Sequence, residues 1–135
     1  MSSTCSVVVA DDNRDAADSL VELFGALGYA AVAAYDGREA VKVCSALEPD
    51  LVILDIQMPL LDGCAAARLI RIGAHPPGMI ASLSALRHWE EPMKSGSGAF
   101  DVRLAKPARM DQLSELLAQV FRPVPGNSGS DGADR

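Results

Sequence analysis

Short apolar runs alternate along the chain with longer segments in which apolar residues recur every three or four positions. The apolar runs predict five strands, at residues 7–10, 30–34, 51–54, 79–83 and 102–105. The helical spacing predicts five helices, at residues 13–27, 37–47, 64–72, 86–99 and 110–121. Because strands alternate with helices of crossover length, the pattern predicts an α/β fold with a doubly wound parallel sheet and helices on both faces.

Three parts of the chain depart from this regular pattern. In the predicted helix at 86–99, Pro92, Gly96 and Gly98 each oppose a stable helical interior. Residues 122–135 are rich in Gly, Ser, Pro and Asp, and they predict a disordered tail with no output domain beyond it, or equally a linker cut from a larger protein. We therefore expect residues 1–5 to be an N-terminal extension and residues 6–121 to form one domain.

Composition and charge exclude several classes of function. The net charge of −6, without a basic cluster, argues against nucleic-acid binding. Cys5, Cys44 and Cys64 have neither CxxC nor Cys/His spacing, so we expect no disulfide framework and no zinc site, as in a reducing cytoplasm. No apolar run reaches the length of about 18 residues that spans a bilayer, and the first residues lack the pattern of a signal peptide. We expect a cytoplasmic protein that does not bind membranes.

Four of the five predicted strands end in residues that can do chemistry. The first strand is followed by Asp11 and Asp12, the third by Asp55, the fourth by Ser84 and the fifth by Lys106. In an open parallel sheet, ligands bind outside the carboxyl ends of the strands. The sequence therefore predicts that three carboxylates, a hydroxyl and an ammonium meet at one edge of the sheet.

Such a set suits phosphoryl transfer assisted by a metal ion. Carboxylates crowded together repel one another unless a cation binds among them, and Mg²⁺ prefers oxygen ligands. A carboxylate can also attack phosphorus and form an aspartyl phosphate. A lysine ammonium and a hydroxyl can then interact with the phosphoryl oxygens.

Each of these residues alone has an ordinary structural explanation. Asp11 or Asp12 could cap the first helix, and Asp55 could be a turn residue. Ser84 could form a cap or a turn, and Lys106 could be a solvated surface charge. Their joint placement at strand ends favours a common site.

Four sequence segments resemble the response regulator receiver domains of two-component signalling, in the chemotaxis-regulator-like superfamily. They are VVVADDN, LVILDIQMPLLDG with its DxxMPxxDG pattern, Ser84-Ala85 and Lys106-Pro107. The resemblance covers roughly residues 6–121. It implies a flavodoxin-like (βα)5 fold with strand order 2-1-3-4-5. It also implies a signalling domain that catalyses its own phosphorylation and dephosphorylation and turns over no external substrate.

The resemblance assigns the reaction centre to the strand ends. Asp55 would accept a phosphoryl group from a histidine kinase or a histidine phosphotransfer protein. Asp12, Asp55 and the carbonyl of Gln57 would bind Mg²⁺ directly, and Asp11 would bind it through water. Lys106 would contact the phosphoryl group, Ser84 would be the switch hydroxyl, and the Lys106-Pro107 bond stands where the family often has a cis peptide.

The chain departs from the family pattern on the surface that would bind a downstream target. This surface would be formed by the predicted helix at 86–99, the fifth strand and the last helix. Arg103 stands three residues before the lysine, where the family has an aromatic residue that turns inward. An arginine cannot fill that apolar slot, so either a polar contact replaces the inward turn or the coupling is weak. Trp89, among polar neighbours, is a hypothetical anchor for the partner.

Two other functions share parts of this pattern. Aspartyl-phosphate phosphatases of the haloacid dehalogenase type need a second acid two residues after the nucleophile, and Gln57 cannot transfer protons. A receiver fold that binds partners independently of phosphate stays as the alternative. The sequence leaves open whether the domain shuttles phosphate in a phosphorelay or switches a target, and whether it was excised from a hybrid kinase.

Overall fold

The computed structural model of the protein describes residues 6–58, 61–84, 100–106 and 108–121. Within residues 6–84, strands and helices alternate as the sequence pattern predicts. In chain order the elements are β1 (Val7–Ala10), α1 (Arg14–Ala26), β2 (Ala31–Ala34), α2 (Gly37–Leu47), β3 (Leu51–Asp55), α3 (Gly63–Arg71), β4 (Met79–Ser84), β5 (Val102–Ala105) and α4 (Met110–Phe121). Among the described residues, no helix is long and apolar enough to cross a membrane.

The five strands form one parallel sheet in the order β2-β1-β3-β4-β5. This arrangement confirms the predicted fold class and strand order. The central strands β1 and β3 are buried along their whole length, as expected from their uninterrupted apolar sequences. The register pairs Ala10 with Leu54, and Asp55 with Leu83. The carboxyl ends of the strands therefore meet at one edge.

Apolar side chains on each face of the sheet form a separate core. Val8 and Ala10 face the core covered by α2 and α3, which includes Ala40 and Ile70. Val7 and Val9 face the core covered by α1 and α4, as alternation along a strand requires. Each fully buried aliphatic side chain contributes about 1.5–3 kcal/mol, so the two cores hold the sheet edge in place.

The helices near the site edge begin at polar capping residues. The side chain of Asn13 accepts a hydrogen bond from the N–H of Ala16 at 3.1 Å and caps α1. Asp36 and Asp62 cap α2 and α3 in the same way. The suggestion that Asp11 or Asp12 caps α1 is therefore wrong, because Asn13 has that role.

A hydrogen-bond cluster around Asp101 fixes the start of β5. The Asp101 carboxylate accepts hydrogen bonds from the Arg71 guanidinium at 2.7 Å and from the N–H of Ile80 at 2.9 Å. The N–H of Asp101 donates to the carbonyl of Ile80 at 2.7 Å. These contacts join α3, β4 and β5 at the edge opposite the site, so they help to set the position of the residue that follows β5.

The observed elements differ from the predicted ones by one or two residues at several ends. The third helix starts at Gly63 because Asp62 is its cap, and β4 extends to Ser84, whose carbonyl accepts a hydrogen bond from Lys106. The predicted helix at 86–99 lies outside the described residues, with Trp89 and the three helix-breaking residues. The chain ends 1–5 and 122–135 and Pro107 also lie outside them.

Two glycines near the end of α1 should respond oppositely to substitution. Gly25 lies within the helix and a Cβ there would meet open space, whereas Gly28 has φ of 97°, which L-residues rarely adopt. Gly25→Ala is expected to raise the free energy of unfolding by about 0.5–1 kcal/mol. Gly28→Ala is expected to lower it by about 1 kcal/mol or more. Urea denaturation of both variants measures these changes. A higher free energy of unfolding in Gly28→Ala would contradict the positive φ of Gly28.

Candidate functional site

Two buried carboxylates lie side by side at the carboxyl ends of β1 and β3. Asp11 is fully buried, and Asp55 is 4% exposed. One oxygen of each is held by the backbone two residues later: the N–H of Asn13 donates to Asp11 Oδ1 at 3.0 Å, and that of Gln57 donates to Asp55 Oδ1 at 3.1 Å. Asp55 therefore does make a turn contact, but only with one of its oxygens.

Lys106 joins the second oxygens of these two carboxylates. Its Nζ lies 2.9 Å from Asp11 Oδ2 and 3.0 Å from Asp55 Oδ2. The backbone N–H of Lys106 donates to the carbonyl of Ser84 at 2.8 Å, which continues the pairing of β5 with β4. The parallel register therefore carries the ammonium to the two carboxylates.

Asp12 completes an acidic cluster at the surface. It is exposed, and one oxygen from each of Asp11, Asp12 and Asp55 lies within 4.8 Å of the others. An open cleft of about 590 Å³ contains this cluster. Its lining residues are Asp11, Asp12, Asn13, Asp55, Gln57 and Lys106.

The surroundings of Asp55 and Lys106 change the pKa of both side chains. Burial raises the pKa of Asp55, and the charge of Asp11 adds to this, while the hydrogen bonds from Lys106 and from the Gln57 N–H oppose it. The net result is a raised pKa. Burial lowers the pKa of Lys106, but its hydrogen bonds and charge interactions with Asp11 and Asp55 outweigh burial and raise that pKa. Lys106 is therefore a cation at neutral pH.

The donor set fits a hard divalent cation. Within the described ranges, Asp11 Oδ2 is the single buried side-chain oxygen or nitrogen without a hydrogen bond, although it forms the ion pair with Lys106. Three carboxylates face one ammonium, which leaves an excess of negative charge in the cleft. Clustered carboxylate oxygens of this kind are the ligands that Mg²⁺ prefers.

Neither Ser84 nor Arg103 lines the cleft. Ser84 is buried at the end of β4, one residue beyond the partner of Asp55 in the sheet. Arg103 is exposed on the edge strand β5, where it pairs with Ser82. Because Val102 and Leu104 face the α1/α4 core, alternation places Arg103 on the other face of the sheet.

Gly63 is a site residue to which the sequence reasoning gave no role. A Cβ at this position would collide with the carbonyl of Asp55 and lie 2.8 Å from the Cα of Ile56. Its N–H donates to the carbonyl of Ile56 at 2.9 Å. Gly63 is the last residue of the DxxMPxxDG pattern, so the sequence did mark the position. Glycine is needed there because the backbone of Asp55 and Ile56 occupies the space of a side chain. Asn13, the cap of α1, was likewise assigned no place in the cleft.

Comparison with known proteins gives consistent matches over most of the chain. The model of the response regulator receiver domain family matches residues 7–118. The chain is 37% identical over 122 residues to the positive alginate biosynthesis regulatory protein of Pseudomonas aeruginosa, covering 87% of this chain and 48% of that protein. It is 31% identical over 129 residues to the response regulator MprA of Mycolicibacterium vanbaalenii, covering 94% of this chain and 55% of that protein. The chain thus spans about half the length of these curated relatives.

Solved structures agree with the sequence matches. The response regulator protein TrrA of Thermotoga maritima, crystallised in complex with Mg²⁺-BeF, superimposes with a TM-score of 0.75 at 31% identity, covering 87% of this chain and 99% of that chain. The receiver domain of the Francisella response regulator 1452 superimposes with a TM-score of 0.75 at 28% identity, covering 88% and 98%. The strand-end cleft, the sequence matches and the fold all lead to one assignment: the chain belongs to the response regulator receiver domain family.

Proposed function

We propose that this chain is the phosphoacceptor domain of a two-component phosphorelay, in which Asp55 takes a phosphoryl group from a histidine kinase or a histidine phosphotransfer protein. The observation that carries this proposal is the bridge from Lys106 to the buried carboxylates of Asp11 and Asp55, with Asp12 exposed beside them. The folded part proposed for this role is residues 6–121, with residues 1–5 and 122–135 as extensions, and the proposed compartment is the cytoplasm.

Mg²⁺ is the cofactor that the acidic cluster would hold. Asp12 and Asp55 would contribute carboxylate oxygens, Gln57 its backbone carbonyl, and Asp11 a contact through water. A solved structure similar to this chain, TrrA of Thermotoga maritima, is a complex with Mg²⁺-BeF, which supports the proposal. When bound, the ion would neutralise charge on the phosphoryl oxygens.

Asp55 is proposed as the nucleophile because its carboxylate is oriented before any donor arrives. The Gln57 N–H holds Oδ1, and Lys106 holds Oδ2 from the opposite side. An Asp55 oxygen would form a bond to phosphorus as the bond between phosphorus and the donor nitrogen breaks, with that electron pair staying on the donor. The product is an acyl phosphate, which later loses its phosphoryl group to water.

Lys106 and Ser84 are proposed to act on the transferred group. The Lys106 ammonium contacts Asp55 at 3.0 Å, so it can move its interaction to phosphoryl oxygens without a change of backbone. Ser84 lies at the end of the neighbouring strand, where its hydroxyl can donate to the same oxygens. A downstream target would then bind the surface that includes β5, with exposed Arg103 as one contact and Trp89 as another.

The first test is self-phosphorylation by a small phosphodonor. Incubation with acetyl phosphate and Mg²⁺ is expected to add one phosphoryl group, seen by intact mass as an acid-stable, base-labile adduct. Asp55→Asn should abolish the adduct because amide nitrogen cannot replace the nucleophile. Omission of Mg²⁺ should also abolish it. A folded wild-type protein that gains no adduct from acetyl phosphate or from a histidine kinase would favour a phosphate-independent interaction module.

The raised pKa of Asp55 predicts a pH-dependent gain of stability in Asp55→Asn. Because the pKa of Asp55 is higher in the folded than in the unfolded protein, its protonated carboxyl favours folding at pH values below the unfolded-state pKa. This contribution to the free energy of unfolding is lost as the pH rises through the folded-state pKa. At pH 7 without divalent ions, Asp55→Asn should therefore have a larger free energy of unfolding than wild type. The difference should shrink near pH 3, where the carboxyl is protonated in both states.

Urea denaturation at the two pH values measures this difference. Asp50→Asn is the control for removing one negative charge, since Asp50 is exposed and lies just before β3. Equal stability of wild type and Asp55→Asn at pH 7 would contradict the electrostatic account of the site. Saturating Mg²⁺ should restore wild-type stability relative to Asp55→Asn.

Replacement of Lys106 should separate metal binding from phosphoryl transfer. Lys106→Met removes the ammonium that competes with a metal ion for Asp11 and Asp55, so Mg²⁺ should bind more tightly. The rate of phosphorylation by acetyl phosphate should fall by about 100-fold, as for loss of one preorganised electrostatic contact. Calorimetric titration and quenched-flow mass measurement test the two effects. Lys42→Met, at an exposed position on α2, is the matched control, and an unchanged rate in Lys106→Met would exclude the proposed role.

A further inference from the structure

The first turn of α2 packs against Leu61, six residues after Asp55. Gly37 is buried, and the space where its side chain would lie is occupied by the carbonyl group of Leu61. A Cβ on Gly37 would collide with the carbonyl oxygen of Leu61 and lie 2.7 Å from its carbonyl carbon and 3.0 Å from its Cβ. No such contact exists at Gly25, where a Cβ would meet nothing within 4 Å. Gly37 is therefore required by a tertiary contact and not by a turn.

The first residue of α3, Gly63, packs against the backbone at the end of β3. The missing side chain of Gly63 makes room for the Asp55 carbonyl and for the Cα of Ile56. The N–H of Gly63 donates to the Ile56 carbonyl at 2.9 Å. Leu61 and Gly63 are two residues apart, so a displacement of Leu61 would be transmitted through Gly63 to Ile56, the neighbour of Gln57.

Two hydrogen bonds to side chains hold the first turn of α2. The N–H of Glu39 donates to Asp36 Oδ1 at 2.8 Å, and Glu39 Oε1 accepts from the N–H of Tyr35 at 2.7 Å. This arrangement resembles a capping box, except that Glu39 accepts from the N–H of Tyr35, the residue before the cap, and not from the N–H of Asp36. Because the turn cannot easily yield, an added side chain at Gly37 would displace Leu61 instead of α2.

We propose that Gly37 is a positioning residue for the metal site: through Leu61 and Gly63 it sets the place of Gln57, whose carbonyl would bind the cation and whose N–H donates to Asp55. The inference rests on the proposed function, since it concerns the same cleft. It adds that α2, which contributes no side chain to the cleft lining, is part of the structure that determines Mg²⁺ affinity.

The test compares Mg²⁺ affinity in glycine-to-alanine variants of the whole chain. Gly37→Ala is expected to weaken Mg²⁺ binding by about tenfold or more, the range found when groups that orient metal ligands are lost. Gly25→Ala is the matched control and should bind Mg²⁺ as wild type does. Val120→Ala, in the core on the opposite face of the sheet, controls for lower stability alone. Isothermal titration calorimetry is done at a temperature where each variant is fully folded.

The outcomes separate this inference from the proposed function. Wild-type affinity in folded Gly37→Ala, or an equal loss in Val120→Ala, would overturn the positioning role while leaving the receiver chemistry intact. Failure of the wild type to bind Mg²⁺ would overturn both.

A measurement on the wild type covers the case in which Gly37→Ala does not fold. Mg²⁺ should slow hydrogen exchange of the Glu39 and Ala40 amides in the first turn of α2, because a bound ion that restrains Gln57 would also restrain Leu61, which contacts Gly37 in that turn. The Leu47 amide, at the far end of α2, should exchange as before. Equal exchange at Glu39 and Ala40 with and without Mg²⁺ would overturn the proposal.

Discussion

The arrangement of the site depends on one buried interaction, the contact of the Lys106 ammonium with both Asp11 and Asp55. Two carboxylates buried side by side repel each other, and loss of the ammonium would leave both charges uncompensated, a change that typically costs about 3–5 kcal/mol for a buried ion pair. Lys106 is 95 and 51 residues away from these carboxylates along the chain. Only a sheet that places β5 in register with β4, and β3 beside β1, can bring the three groups together.

The same contact explains why the two carboxylates are oriented alike. Each has one oxygen fixed by a backbone N–H two residues later and the other fixed by Lys106. Neither side chain can rotate without losing a charged hydrogen bond or ion pair. The cleft is thus organised before any ligand arrives, so little reorganisation is required during the reaction.

The sequence predicts the parts of the site that depend on strand ends. The apolar runs locate the strands, and the carboxyl ends of parallel strands must share an edge, so Asp11, Asp12, Asp55 and Lys106 were correctly expected to meet. The resemblance added Gln57, which lines the cleft. The cap of α1 was misplaced: the sequence offered Asp11 or Asp12, and Asn13 was taken as the first residue of the helix, although all three residues are of types that cap well. The contact of Gly37 with Leu61 could not be found, since it joins backbone atoms of two segments and leaves no periodic pattern.

Asp11 and Asp12 are neighbours in sequence, yet one is fully buried and the other exposed. Dissolved salt screens charges at the surface far more than charges in the interior. An approaching cation first encounters the field of Asp12, so ionic strength should govern how fast it arrives. Once inside, it meets Asp11 and Asp55, whose attraction salt can hardly weaken. Ionic strength should therefore change the rate at which a cation arrives more than it changes the attraction of Asp11 and Asp55 for that cation.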